Sequence, residues 1–264
     1  TLTVTANGAD ENSGLAITAS ADVTVQQQSA AHLTVTSIET FREDGTPQST
    51  FSTCQNFTVR ANVTNTGGAV ALNVFATIWI DVNCSLLPGE SAIQDPDGSV
   101  PPGEVKTFEW TLHCDSPGAS VITVIPAGID ENTGVAIPDS EIDPYSIAVN
   151  QYEKAHLVVI ITAPEYSTTF STDQEFVVTA TVTNTGQAMA VDAMATINID
   201  ANASLVGEPP TKELGNIPGG STVIARWQLQ CDASGDVNIA VNATATDQYT
   251  NATIPEDNLT PDTI

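Results

Sequence analysis

Residues 51–86 and 170–205 are nearly the same sequence written twice: at an offset of 119 they share 22 identities in 36 positions. The match resumes at "WTLHCDSPG" (110–118) and "WQLQCDASG" (227–235), now offset by 117, and "AHL" at 31–33 returns at 155–157. A chain that repeats itself on this scale builds one structural unit more than once. Residues 29–150 and 151–264 are therefore expected to be two copies of that unit. The ends extend the pattern. "GADENSG" (8–14) aligns with "GIDENTG" (128–134), and "IPEDNLTPDTI" (254–264) aligns with "IPDSEIDPYSI" (137–147). Residues 1–28 are expected to be the final strands of a preceding unit, and the second copy to lack its last strand, as in a window on a longer array.

Within the unit the apolar period is two, which specifies strands. Phe57, Val59, Ala61 and Val63 alternate with polar residues, and Phe176, Val178, Ala180 and Val182 repeat that phase. Trp110, Leu112 and Cys114 alternate in the same way, as do Trp227, Leu229 and Cys231. Turn signals such as "NTGG" (65–68), "DPDG" (95–98) and "IPGG" (217–220) separate the runs. No helical periodicity of useful length intervenes. About seven strands per unit, each with one apolar face, predict an all-β chain of tandem immunoglobulin-like β-sandwiches. In the repeated Asn-Thr-Gly, Asn65 and Asn184 are expected to cap the turn, with the glycine free to take a positive φ.

The segments Val63-Thr64-Asn65-Thr66-Gly67 and Val182-Thr183-Asn184-Thr185-Gly186, followed by Trp110 and Trp227 in "W.L.C" strands, resemble the CARDB family. So does the acidic ending "IPEDN" (254–258). These are cell-adhesion-related Ig-like domains of bacterial and archaeal surface proteins. The resemblance covers nearly the whole chain and implies fold and tandem surface architecture. It carries no catalytic residues, and the cysteines and the sequon density depart from the family pattern.

Charge excludes further classes. Six Lys and Arg face thirty-two Asp and Glu, a formal net charge of −26. Nucleic-acid phosphates and anionic membranes need a basic surface, so neither is an expected partner. No apolar stretch approaches the roughly 20 residues that span a bilayer, so no membrane insertion is expected in this segment. No GxSxG, HExxH or glycine-rich phosphate loop occurs, and His32, His113 and His156 form no sequence motif with a nucleophile. The chain is expected not to be an enzyme.

Candidate sites are of three kinds. Sequons begin at Asn56, Asn62, Asn83, Asn202, Asn242, Asn251 and Asn258, and of these Asn83 and Asn202 occupy equivalent places in the repeat. N-linked glycans are the expected modification, and with them an extracellular, cell-surface location. Among the four cysteines, Cys54 and Cys84 are both absent from the second copy, where Asp173 and Ala203 stand. Joint loss points to a Cys54–Cys84 disulfide, with Cys54–Cys114 as the competing pair. The acidic loops containing Asp95, Asp97, Asp130 and Glu131 are candidates for calcium, which takes several oxygen ligands from a loop; solvated acidic turns are the alternative.

The sequence therefore predicts a structural protein: a glycosylated repeat segment of a surface layer, sheath or filament, of archaeal or bacterial origin. Its expected partners are copies of itself, joined end to end or by β-strand complementation. The alternative is an adhesin stalk or carbohydrate-binding module, for which Trp79 is the one plausible aromatic platform.

Overall fold

The computed structural model describes residues 1–95 and 98–254, together with the backbone of residues 259, 260, 262 and 263. Apart from a 3₁₀ turn at Asp139–Glu141, the regular elements are strands. The first two, β1 (Leu2–Ala9) and β2 (Ala16–Val23), form a hairpin of their own.

The first sandwich follows. One sheet contains β3 (Leu33–Arg42), β5 (Asn56–Asn65), β7 (Cys84–Leu86), β9 (Val105–Cys114) and β11 (Ile142–Asp143), in the order β11-β3-β5-β9-β7. The other contains β4 (Thr50–Ser52), β6 (Ala71–Ile80), β8 (Ile93–Gln94), β10 (Gly118–Asp130) and β12 (Tyr145–Tyr152), in the order β4-β12-β10-β6-β8. The second sandwich repeats the plan. Its strands are β13 (Leu157–Ala163), β14 (Glu175–Asn184), β15 (Ala190–Ile199), β16 (Ala203–Leu205), β17 (Thr211–Ile217), β18 (Thr222–Cys231), β19 (Ile239–Asp247), β20 (Leu259–Thr260) and β21 (Asp262–Thr263). They assemble as β16-β18-β14-β13-β20 and β17-β15-β19-β21. The period-two alternation is thus that of an all-β, Ig-like sandwich.

The inward phase is the one read from the sequence. Val59 faces Trp110 across the β5–β9 ladder, and Val178 faces Trp227 across β14–β18. Trp110, Leu112, Phe57 and Phe51 fill the first core; Trp227, Leu229, Val178 and Ile217 fill the second. Burial of such side chains contributes about 1.5–3 kcal/mol each.

The hairpin is the exception. Leu2 pairs with Val23 as Ile122 pairs with Ile147 on β10 and β12. Where Ile122 and Val124 are fully buried, Leu2 and Val4 are 62% and 69% exposed. The hairpin therefore has the register and apolar phase of the last two strands of a sandwich, without the opposing sheet.

One polar side chain organises an end of each sandwich. Asn65 is fully buried at the end of β5. Its Oδ1 accepts from the His32 and Gly67 backbone N–H groups at 3.2 and 3.0 Å. Its Nδ2 donates to the Ala69 and Val100 carbonyls, both at 2.8 Å. Asn184 repeats all four bonds, to His156, Gly186, Ala188 and Ile217. The expected turn cap is therefore a clasp between three chain segments.

The role expected for the glycine is corrected. Neither Gly67 nor Gly186 has a positive φ. A Cβ on Gly67 would lie 2.1 Å from the Ala30 carbonyl oxygen, and one on Gly186 would lie 2.0 Å from that of Lys154. Glycine is needed there because the segment entering the sandwich crosses at van der Waals contact with the bare Cα.

Carboxylates cap the opposite turns. Asp81 Oδ1 accepts from the Val82 and Val121 N–H groups at 2.6 and 2.8 Å and from Ser120 Oγ at 3.0 Å. Asp200 accepts from the Ala201 and Asn238 N–H groups and from Asn238 Nδ2. Backbone donors hold Asp81 below the ordinary carboxylate range, and the Asn238 side chain and backbone do the same for Asp200.

Truncating the clasp leaves buried peptide groups unpaired, a loss of about 1–3 kcal/mol for each group stranded. Asn65→Ala is expected to lower the melting midpoint of the first sandwich by about 10 °C, and Asn184→Ala that of the second, read by calorimetry. The aspartate caps set a pH dependence. Because their folded pKa values are depressed, the stability they contribute is complete above the unfolded value of about 4 and is lost as pH falls through the folded values. Melting midpoints measured from about pH 6 to pH 2 are expected to fall steeply at the acid end. Asp81→Asn should lower the neutral plateau and flatten the acid slope of the first sandwich.

Candidate functional site: the junction between the sandwiches

Two residues, Glu153 and Lys154, separate β12 from the Ala155-His156 that leads into β13. The sandwiches meet directly around Asp247, at the end of β19, which is 3% exposed. Asp247 Oδ2 accepts from the Ala155 N–H at 2.9 Å. Its Oδ1 accepts from the Tyr249 and Thr250 N–H groups of its own loop, both at 3.0 Å, and from Ser52 Oγ of the first sandwich at 2.9 Å. The Tyr249 carbonyl accepts from Arg42 Nη2 at 2.5 Å, Gln48 Nε2 at 3.3 Å and Gln55 Nε2 at 3.4 Å. The Tyr249 ring stacks on Tyr152 with centroids 5.5 Å apart and planes 14° from parallel. An open depression of about 210 Å³ beside Lys154, Asp247 and Thr250, and another of about 340 Å³ beside Gln151, Tyr152 and Gln187, flank this contact.

The repeat encodes both halves of the junction. "FSTCQ" (51–55) returns as "FSTDQ" (170–174), and Ser171 N–H is bonded by Gln174 Oε1 as Ser52 N–H is by Gln55 Oε1. Ser52 is buried under the second sandwich, whereas Ser171 and Gln174 are exposed at the far end of the second. At the near end of the first sandwich, Asp130 accepts from the Ala31 and Thr133 N–H groups at 2.8 and 2.9 Å, as Asp247 does from Ala155 and Thr250. Asp10 holds the corresponding loop of the hairpin through the Asn12 and Ser13 N–H groups.

That placement redefines the acidic loops. Asp130 is buried, both its oxygens are engaged by the chain, and the Ala31 and Thr133 N–H groups hold it below the ordinary carboxylate range. Glu131 is exposed. Asp95 is exposed on the β8 side, and Asp97 lies outside the described residues. Among the described residues no three His, Cys, Asp or Glu side chains come together as a metal-holding group. Asp130 therefore caps the loop at the sandwich end with the oxygens it was expected to offer as ligands.

The sequons separate by local structure. Asn83 and Asn202, singled out by their equivalence in the repeat, take positive φ values of 66° and 62°. Their Nδ2 atoms donate to the Ala119 and Asp236 carbonyls and lie against Gly118 and Gly235. A left-handed turn packed on glycine is a structural demand that both positions share. Asn56 Nδ2 is bonded to Glu43, and Asn62 Nδ2 to Ser37 Oγ. Asn242 and Asn251 are exposed, and among the described residues neither side chain carries a hydrogen bond. Asn258 lies outside the described residues.

The three histidines are apart from one another in partners. His32 Nε2 pairs with Asp143 at 3.0 Å, His113 Nδ1 with Asn56 Oδ1 at 2.8 Å, and His156 Nδ1 with Thr185 Oγ1 at 2.9 Å. The cysteine register also differs from the pairing the repeat comparison favours: Cys84 stands opposite Cys114, not Cys54. No two of the four cysteines are bonded to each other in this structure. The Tyr152–Tyr249 stack has no counterpart in the repeat comparison, since Asn132 stands where Tyr249 would be. Tyr152 precedes the two-residue connection, whereas Tyr249 lies in the loop after β19, so no sequence spacing links them.

No helix among the described residues is long and apolar enough to cross a membrane. No family model matches the chain, and no curated protein matches it. Solved structures similar to it include the CARDB domain of the PF1109 protein of Pyrococcus furiosus, determined in solution. It aligns at 16% identity over 46% of this chain and 94% of that one, with a TM-score of 0.31. A crystal structure of the same domain in complex with di-metal ions aligns at 16% identity over 48% of this chain and 97% of that one, at a TM-score of 0.32. Red sea bream transglutaminase aligns at 13% identity over 91% of this chain and 31% of its own, at a TM-score of 0.29. The similarity to CARDB that the Asn-Thr-Gly and Trp-x-Leu-x-Cys segments predict extends over about half of the chain, at low identity.

Proposed function

We propose that this chain is a non-enzymatic, extracellular structural protein, a repeat segment of a surface layer, sheath or filament built from Ig-like units. The observation that carries the reading is the junction. A two-residue connection, a shared buried aspartate and a tyrosine stack join two sandwiches without a flexible linker. Such an arrangement transmits position and force from one unit to the next, which is what an assembled layer or fibre requires and a mobile ligand-binding arm does not.

The partner is a further copy of the same unit. Ser171 and Gln174 present at the free end of the second sandwich the surface that Ser52 and Gln55 present to Asp247 and Tyr249. The complementary loop, Asp130–Gly134, caps the near end of the first. End-to-end packing is favoured over strand exchange, because the hairpin carries its own counterpart of β10 and the second sandwich already holds that strand as β19. N-linked glycans at exposed Asn242 and Asn251 would shield the flanks. The surplus of carboxylates over basic residues keeps unassembled chains apart and is screened by salt.

One observation favours a second reading, an adhesin stalk or carbohydrate-binding module. Trp79 is 63% exposed on the outer face of the β6–β10 ladder, opposite Thr123 and on the same face as exposed Val121 and Ile93. A flat face of this kind suits a sugar ring.

Electron microscopy of the native extracellular material separates the two. Fibres or sheets with a repeat of one or two sandwich lengths are expected; isolated, flexible rods would replace the structural reading by the stalk. The junction has its own test. Tyr249→Ala is expected to leave the melting of each sandwich within a few degrees while small-angle scattering shows a shorter, broader distribution of end-to-end distances. An unchanged scattering profile would mean that the tyrosine stack does not set the geometry.

A further inference from the structure

We propose that Cys84 and Cys114 form a cross-strand disulfide that staples the edge strand β7 to β9 in the first sandwich. This goes beyond the assembly reading and does not depend on it. The two residues are direct partners in an antiparallel ladder. The ladder's parity is fixed by the bonds on either side: Asp115 N–H donates to the Asn83 carbonyl at 2.8 Å, and Leu87 N–H to the Thr111 carbonyl at 3.0 Å. Residues 83/115 and 87/111 are thus hydrogen-bonded pairs, which makes 84/114 a non-hydrogen-bonded pair. The backbone of Cys114 confirms this, since its N–H and carbonyl turn the other way, to the Gln55 carbonyl and the Cys54 N–H. In non-hydrogen-bonded pairs the Cα atoms approach to about 4.5 Å and the side chains are closest, within the window of about 4.4–6.8 Å that a disulfide spans.

The chemistry favours Cys84 as the first nucleophile. It is half-buried, whereas Cys114 is fully buried. The neighbouring Cys114 thiol holds Cys84 below the ordinary thiol range, and Gln151 Nε2 donates to the Cys84 sulfur. The same contact, together with burial, pushes Cys114 up. The oxidant is a small-molecule disulfide. Cys84 thiolate attacks it, forming a mixed disulfide and expelling one thiolate. Cys114 then loses its proton and attacks the Cys84 sulfur, expelling the second thiolate. The protein loses two hydrogens, and the small disulfide becomes two thiols.

The staple would act where β7 is weakest. That strand is three residues long and lies at the sheet edge, bonded only to β9. Cys84 also receives Gln151 Nε2 at 3.0 Å, next to the Tyr152 that forms the junction. In the second sandwich the same register brings Ala203 opposite Cys231, so no staple exists there and Cys231 is an internal control.

Tryptic mapping of the whole chain tests the assignment, because the six basic residues place every cysteine in a different fragment: 43–60, 61–106, 107–154 and 227–264. After incubation with oxidised glutathione, alkylation and digestion, fragments 61–106 and 107–154 are expected as one species, two hydrogens lighter than their sum. Cys54 and Cys231 are expected to be alkylated. Cys54→Ser should retain the link and Cys84→Ser should abolish it. The melting midpoint of the oxidised chain should exceed that of the reduced chain by about 10 °C, a difference absent in Cys84→Ser. A link from 43–60 to either partner, alkylation of all four cysteines, or a glutathione adduct stalled on Cys84 would overturn the pairing. A link with unchanged melting would overturn the stapling.

Discussion

A buried asparagine amide holds each sandwich to the segment that enters it. Asn65 and Asn184 each make four hydrogen bonds, and those bonds join the end of one strand, the turn after it, a neighbouring segment and the residue just before the entering strand. An amide is suited to this position because it supplies two donors and two acceptor sites without a charge to bury. The clasp also explains the glycine two residues on. With the entering segment drawn against the turn, no Cβ fits at Gly67 or Gly186. The direction in which the chain arrives is then fixed, and the preceding unit has little freedom in how it sits.

The carboxylates repeat this logic at lower cost, because they sit at ends where backbone N–H groups need partners. Asp81, Asp130, Asp200 and Asp247 each satisfy donors that would otherwise be stranded at a turn. These four carboxylates therefore serve turn chemistry. An acceptor with two oxygens can bridge two segments, and at Asp247 the second segment belongs to the neighbouring sandwich. The junction is made from a cap that the unit already needs.

Fold and repeat were legible because both are periodic. Alternation at Phe57–Val63 and Trp110–Cys114 reports which side chains face inward regardless of what lies across the sheet. Pairings between strands distant in sequence are not periodic, and repeat comparison does not report them. Cys54 and Cys84 vary together between the copies, yet Cys84 stands opposite Cys114, because the short β7 folds back onto β9 and not onto the segment that begins β5. Asn83 and Asn202 recur at a position with a structural demand of its own: an asparagine tolerates the left-handed turn, and its amide packs on a glycine that also recurs. Likewise Asp130 recurs as a cap whose partner, the Ala31 N–H, lies 99 residues away. Recurrence marked these positions as constrained without revealing which constraint.

The two copies differ in a way that follows from the same physics. Clasp, core tryptophan and aspartate caps are the same in both, since each sandwich must close its own turns and fill its own core. The differences fall in the core, as Val74 against Ala193 and Phe108 against Ala225, and at the ends, as Tyr249 against Asn132, Cys54 against Asp173 and Cys84 against Ala203. Tyr249 meets a neighbour rather than its own sheet, so it is free to change whenever the neighbour changes. Tyr249 stacks on Tyr152 because a sandwich lies there, and Asn132 instead reaches Gln28 Oε1 at 3.4 Å, in the connection from the hairpin. A repeat that keeps its clasp, core tryptophan and aspartate caps while its end residues vary can lock each junction separately.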